Sequence, residues 1–117
     1  MTEVATVVDD YIAIWNEGDD ERRREIIGRT YADDATYVDP LLQGEGPDGI
    51  SAMIAGAQKQ FPGHRIELTA GPDIHHDRVR FAWRMLDPNG ATAIAGVDFA
   101  TLAADGRLRE VTGFLEQ

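Results

Sequence analysis

Three polar residues of this sequence stand where apolar ones are expected: Tyr11, Asp39 and Asp98. Tyr11 falls on a helical stripe with Val4, Val8 and Trp15, one turn from each of the last two. Asp39 shares a strand face with Tyr37 and immediately precedes Pro40. Asp98 alternates with Ile94, Gly96, Ala100 and Leu102, so it would lie on an almost wholly apolar face. A carboxyl group there must be paired, protonated or beside a cavity. Two carboxyls in unlike surroundings, together with a phenol, are equipment for proton transfer. Asp39 is expected near a loop that water can reach. Asp98 is expected mid-strand, where burial penalises its charged form.

Each residue also has a purely structural reading. A tyrosine on a helix stripe can be core with its hydroxyl at the edge. An aspartate before proline can simply close a strand. Asp98 faces solvent if the two faces of its strand are reversed.

The elements that must position these residues follow from periodicity. Val4, Val7, Val8, Tyr11, Ile12 and Trp15 predict a helix over 3–16, with Gly18 available as a left-handed cap. Asp19 can cap a second helix that runs to about Tyr31. Thr36 to Asp39 reads as a short strand, and Leu41 to Gly49, with its glycines and proline, as a loop. Ile50, Met53, Ile54, Ala57 and Phe61 mark a third helix, closed by Pro62-Gly63. Four strands follow: His64 to Ala70, a segment alternating through Val79, Phe81, Trp83 and Met85, Ala91 to Ala103, and Arg107 to Leu115. Asp87-Pro88-Asn89-Gly90 and Asp105-Gly106 are turn signals between them. The order α-α-β-α-β-β-β-β argues for an α+β fold with a mostly antiparallel sheet. The expected organisation is one domain over 1–117.

Composition narrows the function classes. Acidic residues outnumber basic ones 21 to 11, for a net charge of −10. Such a surface disfavours nucleic acid and anionic membranes as partners. With no cysteine there can be no disulfide, thiolate nucleophile or cysteine zinc site. The start, Met1-Thr2-Glu3-Val4, lacks the pattern of a signal peptide, and no apolar run is long enough to span a bilayer. A cytoplasmic location is expected. Arg22-Arg23-Arg24 could be taken for an anion site. Asp19 and Asp20 lie four residues before Arg23 and Arg24, which favours helix-surface ion pairs instead. His75 and His76 are adjacent, so on a strand they would face opposite ways and could not chelate a metal together. No role is read for His64, His75 or His76.

The runs Tyr11-Ile12-Ala13-Ile14-Trp15-Asn16-Glu17-Gly18-Asp19, Tyr31 to Pro40, and Gly96-Val97-Asp98-Phe99 followed by Asp105-Gly106-Arg107-Leu108 resemble the nuclear-transport-factor-2-like superfamily. The resemblance implies a cone: three N-terminal helices packed on a curved sheet around a pocket. Within the superfamily the chain is most similar to ketosteroid isomerases and SnoaL-like polyketide cyclases. Ketosteroid isomerases place a tyrosine, an aspartate before proline, and a strand aspartate at the positions of Tyr11, Asp39 and Asp98. The resemblance thus implies Asp39 as base, with Tyr11 and Asp98 donating hydrogen bonds to an enolate oxygen. The supporting pocket tyrosines of those enzymes are not all matched, since Ile54 occupies the third-helix position. The Arg-x-Asp of the superfamily's epoxide hydrolases is missing.

On this reading Trp15, Tyr31, Ile54, Phe61 and Trp83 line the pocket, and no cofactor or metal is required. The expected activity is acid/base catalysis, of isomerase or cyclase type, on a hydrophobic carbonyl compound. The alternative is a non-catalytic ligand-binding or dimerisation domain on the same scaffold. Apolar residues on both faces of the long strands, such as Val97 and Phe99 opposite Ile94 and Leu102, predict a homodimer.

Overall fold

The computed structural model describes residues 3–116. Helix α1 runs Val4–Asn16, α2 Asp20–Thr30 and α3 Gly46–Gln60. The strands are β1 (Tyr31–Val38), β2 (Gln43–Glu45), β3 (Arg65–His75), β4 (Arg78–Leu86), β5 (Thr92–Leu102) and β6 (Leu108–Leu115). They form one curved sheet in the order β2-β1-β6-β5-β4-β3. All neighbours are antiparallel except β1 and β6, which run parallel.

Three elements differ from the periodicity reading. β1 begins at Tyr31, not Thr36, because its pairing with β6 shifts register between Tyr31 and Thr36 and leaves both Asp33 and Asp34 exposed. That bulge erases the alternation by which a strand is recognised. Within the expected loop, Gln43–Glu45 pairs with β1 and α3 already starts at Gly46, with Pro47 in its first turn. β3 continues through Gly71-Pro72 to His75 across a pairing irregularity. Gly71 has φ +92°, and a Cβ there would lie 2.9 Å from the Arg80 carbonyl oxygen, so only glycine fits.

The helix ends are set locally. The Asp19 carboxylate accepts from the Glu21 and Arg22 amides and caps α2. The cap of α1 is Glu17 in extended conformation, so Gly18 does not serve as a left-handed stop.

The helices cover the concave face of the sheet. Val7, Val8, Tyr11 and Ile14 of α1, Ile26 and Ile27 of α2, and Ile50 and Ile54 of α3 pack against Ala35, Tyr37, Val79, Phe81, Ala100, Leu108 and Val111 of the strands. Each fully buried aliphatic or aromatic side chain contributes roughly 1.5–3 kcal/mol.

A charged group lies inside this core. Arg23, expected on a solvated face, is 1% exposed. Its guanidinium donates to the Glu17 carbonyl (2.7 Å), the Gln58 side-chain oxygen (3.2 Å) and the Ser51 hydroxyl (3.4 Å), and pairs with Asp20. The pair formed is Asp20–Arg23, three residues apart, not the expected Asp19–Arg23 and Asp20–Arg24, because α2 turns Arg23 toward α3. Arg22 and Arg24 remain on the surface, paired with Glu17 and Asp48. His75 and His76 do not face opposite ways. β3 ends at His75, and His76 adopts φ +52°, which brings the rings to a centroid distance of 5.4 Å. Among the described residues no cluster of three or more metal-ligating side chains occurs, and no helix is long and apolar enough to cross a membrane.

Candidate active site

Sheet register explains how residues 39 and 98 come together. Asp98 of β5 lies opposite Gly113 of β6 on one side and Phe81 of β4 on the other. β1 flanks β6 with Tyr37 beside Val111 and Val38 beside Thr112. One residue further, Asp39 therefore arrives beside Gly113. Tyr37, Phe81, Asp98 and Val111 are buried on the concave side, and alternation puts Asp39 on the same side as Tyr37. Gly113 leaves the slot between the two carboxyls open. A Cβ there would lie 2.8 Å from Asp98 Oδ1, 3.1 Å from Asp39 Cβ and 3.4 Å from the Tyr37 hydroxyl.

Both oxygens of Asp98 are engaged. The Tyr11 hydroxyl lies 2.5 Å from Oδ2, and Trp83 Nε1 donates to Oδ1 at 3.0 Å. Asp98 is 1% exposed, and burial pushes its carboxyl up to about 6. The Tyr11 and Trp83 hydrogen bonds oppose that rise, and the Asp39 charge adds to it. The Tyr11 hydroxyl is pushed well above its ordinary value by burial and by the Asp98 charge.

Asp39 has different partners. Its Oδ2 accepts from the Tyr37 hydroxyl at 2.6 Å, and its Oδ1 from the Leu41 and Leu42 amides at 2.8 Å each. The turn at Pro40 supplies those amides, so the residue closes its strand and also holds its carboxylate at the site. A carboxylate offers about four acceptor positions, so one remains open.

These groups line a cavity of about 90 Å³ whose walls are otherwise mostly apolar, with Trp15, Leu42, Phe61, Ile66, Met85 and Ile94. Of the residues expected to line it, Trp15, Phe61 and Trp83 do so. Tyr31 and Ile54 do not; both are fully buried in the core behind it. The Tyr31 ring packs 6.2 Å from that of Tyr11, and its hydroxyl has no hydrogen-bond partner among the described residues. Several contributors were missed in the sequence. Tyr37 shares a face with Asp39 and could have been found by that spacing. Gln58 also lines the cavity; its amide donates to the Trp15 and Glu17 carbonyls, so α3 holds the C-terminal turn of α1 in place. The bond from Trp83 and the slot at Gly113 carry no sequence signal.

Replacing Gly113 with alanine should displace the Asp98 carboxyl, because its far oxygen is the atom that must give way. We expect loss of the Trp83–Asp98 hydrogen bond, seen as an upfield move of the indole N–H proton resonance, and a stability loss of roughly 1–3 kcal/mol from overpacking. An unmoved indole signal would show that the slot tolerates a methyl group.

An open curved sheet closed by three helices over a cavity defines the nuclear-transport-factor-2-like class of α+β folds. Within that class the chain belongs to the SnoaL-like domain family, which matches residues 8–111. A provisionally named isomerase of the SnoaL-like family from Agrobacterium tumefaciens str. C58 is 45% identical over the whole of both chains, with a TM-score of 0.94. An NTF2-like protein of unknown function from Exiguobacterium sp. 255-15 is 17% identical, covering 95% of this chain and 98% of that one, with a TM-score of 0.74. A provisionally named SnoaL-like polyketide cyclase from Jannaschia sp. CCS1 is 18% identical, covering 99% and 90%, with a TM-score of 0.71. The last two likenesses establish the fold alone. No match was found among curated proteins.

Proposed function

We propose that the protein catalyses proton transfer next to a carbonyl group, without a cofactor, in an apolar small molecule. The observation that carries this reading is the buried Tyr11–Asp98 pair, which shares one cavity with Asp39. The isomerase named among its relatives is in keeping with it.

In this scheme a carbonyl oxygen sits against Tyr11. Asp39 removes a proton from the adjacent carbon, the electron pair shifts onto the oxygen, and Asp39 returns the proton to another carbon of the conjugated system. Trp83 Nε1 is a donor only, so it holds Asp98 Oδ1 as an acceptor. A proton on Asp98 must then sit on Oδ2, facing Tyr11. Neutral Asp98 donates to the Tyr11 oxygen, which frees the Tyr11 proton for the developing oxyanion. Ionised Asp98 instead accepts that proton, and the donor is lost to the substrate. The carboxyl thus acts through Tyr11 as a positioning residue.

The scheme has a pH signature. Asp98 titrates at about 6, so kcat/KM for proton exchange should fall as pH rises through that value. Asp98→Asn keeps a donor toward Tyr11 at every pH through its amide NH₂. Its profile should lose this alkaline limb and retain activity above pH 7. The measurement is deuterium exchange at the α-carbon of a cyclic enone, followed by NMR across pH 4.5 to 8.5. A wild-type rate that stays flat or rises through about 6 would remove Asp98 from the scheme.

We also propose a homodimer formed through the convex sheet face. Phe99 and Phe114 lie there 46% and 56% exposed, in edge-to-face contact at 6.1 Å, with Val38 beside them in the sheet. Exposed paired aromatics on a sheet face are costly unless covered. Sedimentation at tens of micromolar, roughly the range in which a weak interface is still populated, should give a dimer. The Phe99→Glu variant should give a monomer. A monomeric wild type would remove this proposal.

A further inference from the structure

Building on that reading of the site, we infer that the substrate is a compact, uncharged carbonyl compound of about one ring, not a fused polycyclic one. The size follows from the cavity, which measures about 90 Å³. An apolar cavity of roughly 150 Å³ holds one benzene ring, so this one encloses no more than about six non-hydrogen atoms. That is one ring with its carbonyl oxygen. Large side chains form much of the wall: Trp15 and Phe61 on the helical side, Met85 and Ile94 on the sheet side. The Trp15 ring is itself held against Tyr37 at 5.6 Å. Further rings of a larger ligand would emerge past the exposed Leu41 and meet water instead of apolar wall.

The lack of substrate charge follows from what lines the cavity. It contains two carboxyl groups, Asp39 and Asp98. Arg65 is also at the wall, yet its guanidinium belongs to the other face of β3. Ile66 pairs with Met85 on the cavity side. Arg65, one residue away, therefore projects to the convex face, where it approaches Glu67 at 3.8 Å. Glu67 is itself bonded to Arg84 there. His64 lines the outer part with its Nδ1 3.0 Å from the Pro62 carbonyl oxygen and its ring against Phe61. A substrate carboxylate would meet two like charges and no guanidinium, in a protein already at −10.

The test is a graded panel with the full chain, binding measured at pH 7 and exchange at pH 5, where the scheme keeps Asp98 neutral. Cyclohexenone, a two-ring octalone and a steroid enone differ in ring number, and a cyclohexenone carboxylate differs in charge. Binding is followed by chemical-shift changes of the Trp83 indole and α-proton exchange by NMR. We expect the one-ring ketone to bind, the larger ketones to bind no more tightly, and the carboxylate to bind at least 10-fold more weakly. In Met85→Ala or Ile94→Ala, either of which lengthens the cavity, the two-ring compound should overtake the one-ring compound. Two variants guard against one that fails to fold. Affinity that climbs 10-fold or more with each added ring in the wild type would overturn the size inference. Equal binding of the carboxylate would overturn the charge inference, and no binding of cyclohexenone at millimolar concentration would overturn both. Binding with the expected size limit but without exchange would leave this inference standing and sink the proton-transfer reading.

Discussion

Asp39→Asn should reduce α-proton exchange by about 10²- to 10⁴-fold, the range a positioned general base contributes. The substitution is nearly isosteric. The amide oxygen can still accept from the Leu41 and Leu42 amides, and the Tyr37 hydroxyl can turn to suit the new partner. Strand end and loop should therefore stay in place while the proton acceptor is lost. Substrate affinity should change little, because the base contributes to the transition state more than to ground-state binding. Exchange kinetics together with a binding titration check both statements. Loss of exchange with binding retained supports proton transfer by this residue. Unchanged exchange would transfer the role elsewhere. If the wild type binds cyclic ketones and exchanges none of their protons, the site binds without catalysing.

The second large effect concerns stability. Arg23→Ala should lower the unfolding free energy by about 3–5 kcal/mol, the combined cost of a large-to-small change in a packed interior and of a buried acceptor left without a donor. The loss strands the Gln58 side-chain oxygen, takes one of two donors from the Glu17 carbonyl and the guanidinium from the Ser51 hydroxyl, and leaves a cavity the size of an arginine side chain. Arg23→Lys should recover only part of this, since an ammonium group cannot reach the three acceptors in the fork that a guanidinium spans. Asp20→Asn is the contrasting control. Its side chain is mostly exposed, so its loss should cost under about 1 kcal/mol. Urea unfolding of the variants measures all three. The network also reaches the site, because Gln58 lines the cavity and holds the Trp15 carbonyl. A properly folded Arg23→Lys protein should therefore show weakened ketone binding. If Arg23→Ala costs no more than Asp20→Asn, the buried guanidinium is not an organising group.

Local pattern determined a good deal of this protein. Alternation through Val79, Phe81, Trp83 and Met85, and again around Asp98, assigned the strand faces, since side-chain direction along a strand depends only on parity. The stripe Val4-Val8-Tyr11-Trp15 turned α1 toward that face for the same kind of reason, at a period of 3.6. Asp19 at its cap, Gly90 and Gly106 in their turns, and the break at Pro40 are decisions made within a few residues.

Where the pattern was interrupted, long-range pairing took over. The bulge in β1 and the passage of β3 through Gly71-Pro72 exist because neighbouring strands supply the ladder that local propensity does not. The packing of separate elements also decided the site. Asp39 and Asp98 are far apart in the chain and become neighbours of Gly113 only through a parallel ladder on one side of β6 and an antiparallel one on the other. Trp83 became a donor to Asp98 because β4 and β5 set its indole over that carboxyl, and a face assignment alone is silent about reach. Tyr31 and Ile54 share the site's elements yet fall behind its wall, and Arg23 turns inward because α3 offers it acceptors. Parity and helical period state which way a side chain points. How far apart two faces stand, and what remains between them, is settled only when all the elements fill the same volume.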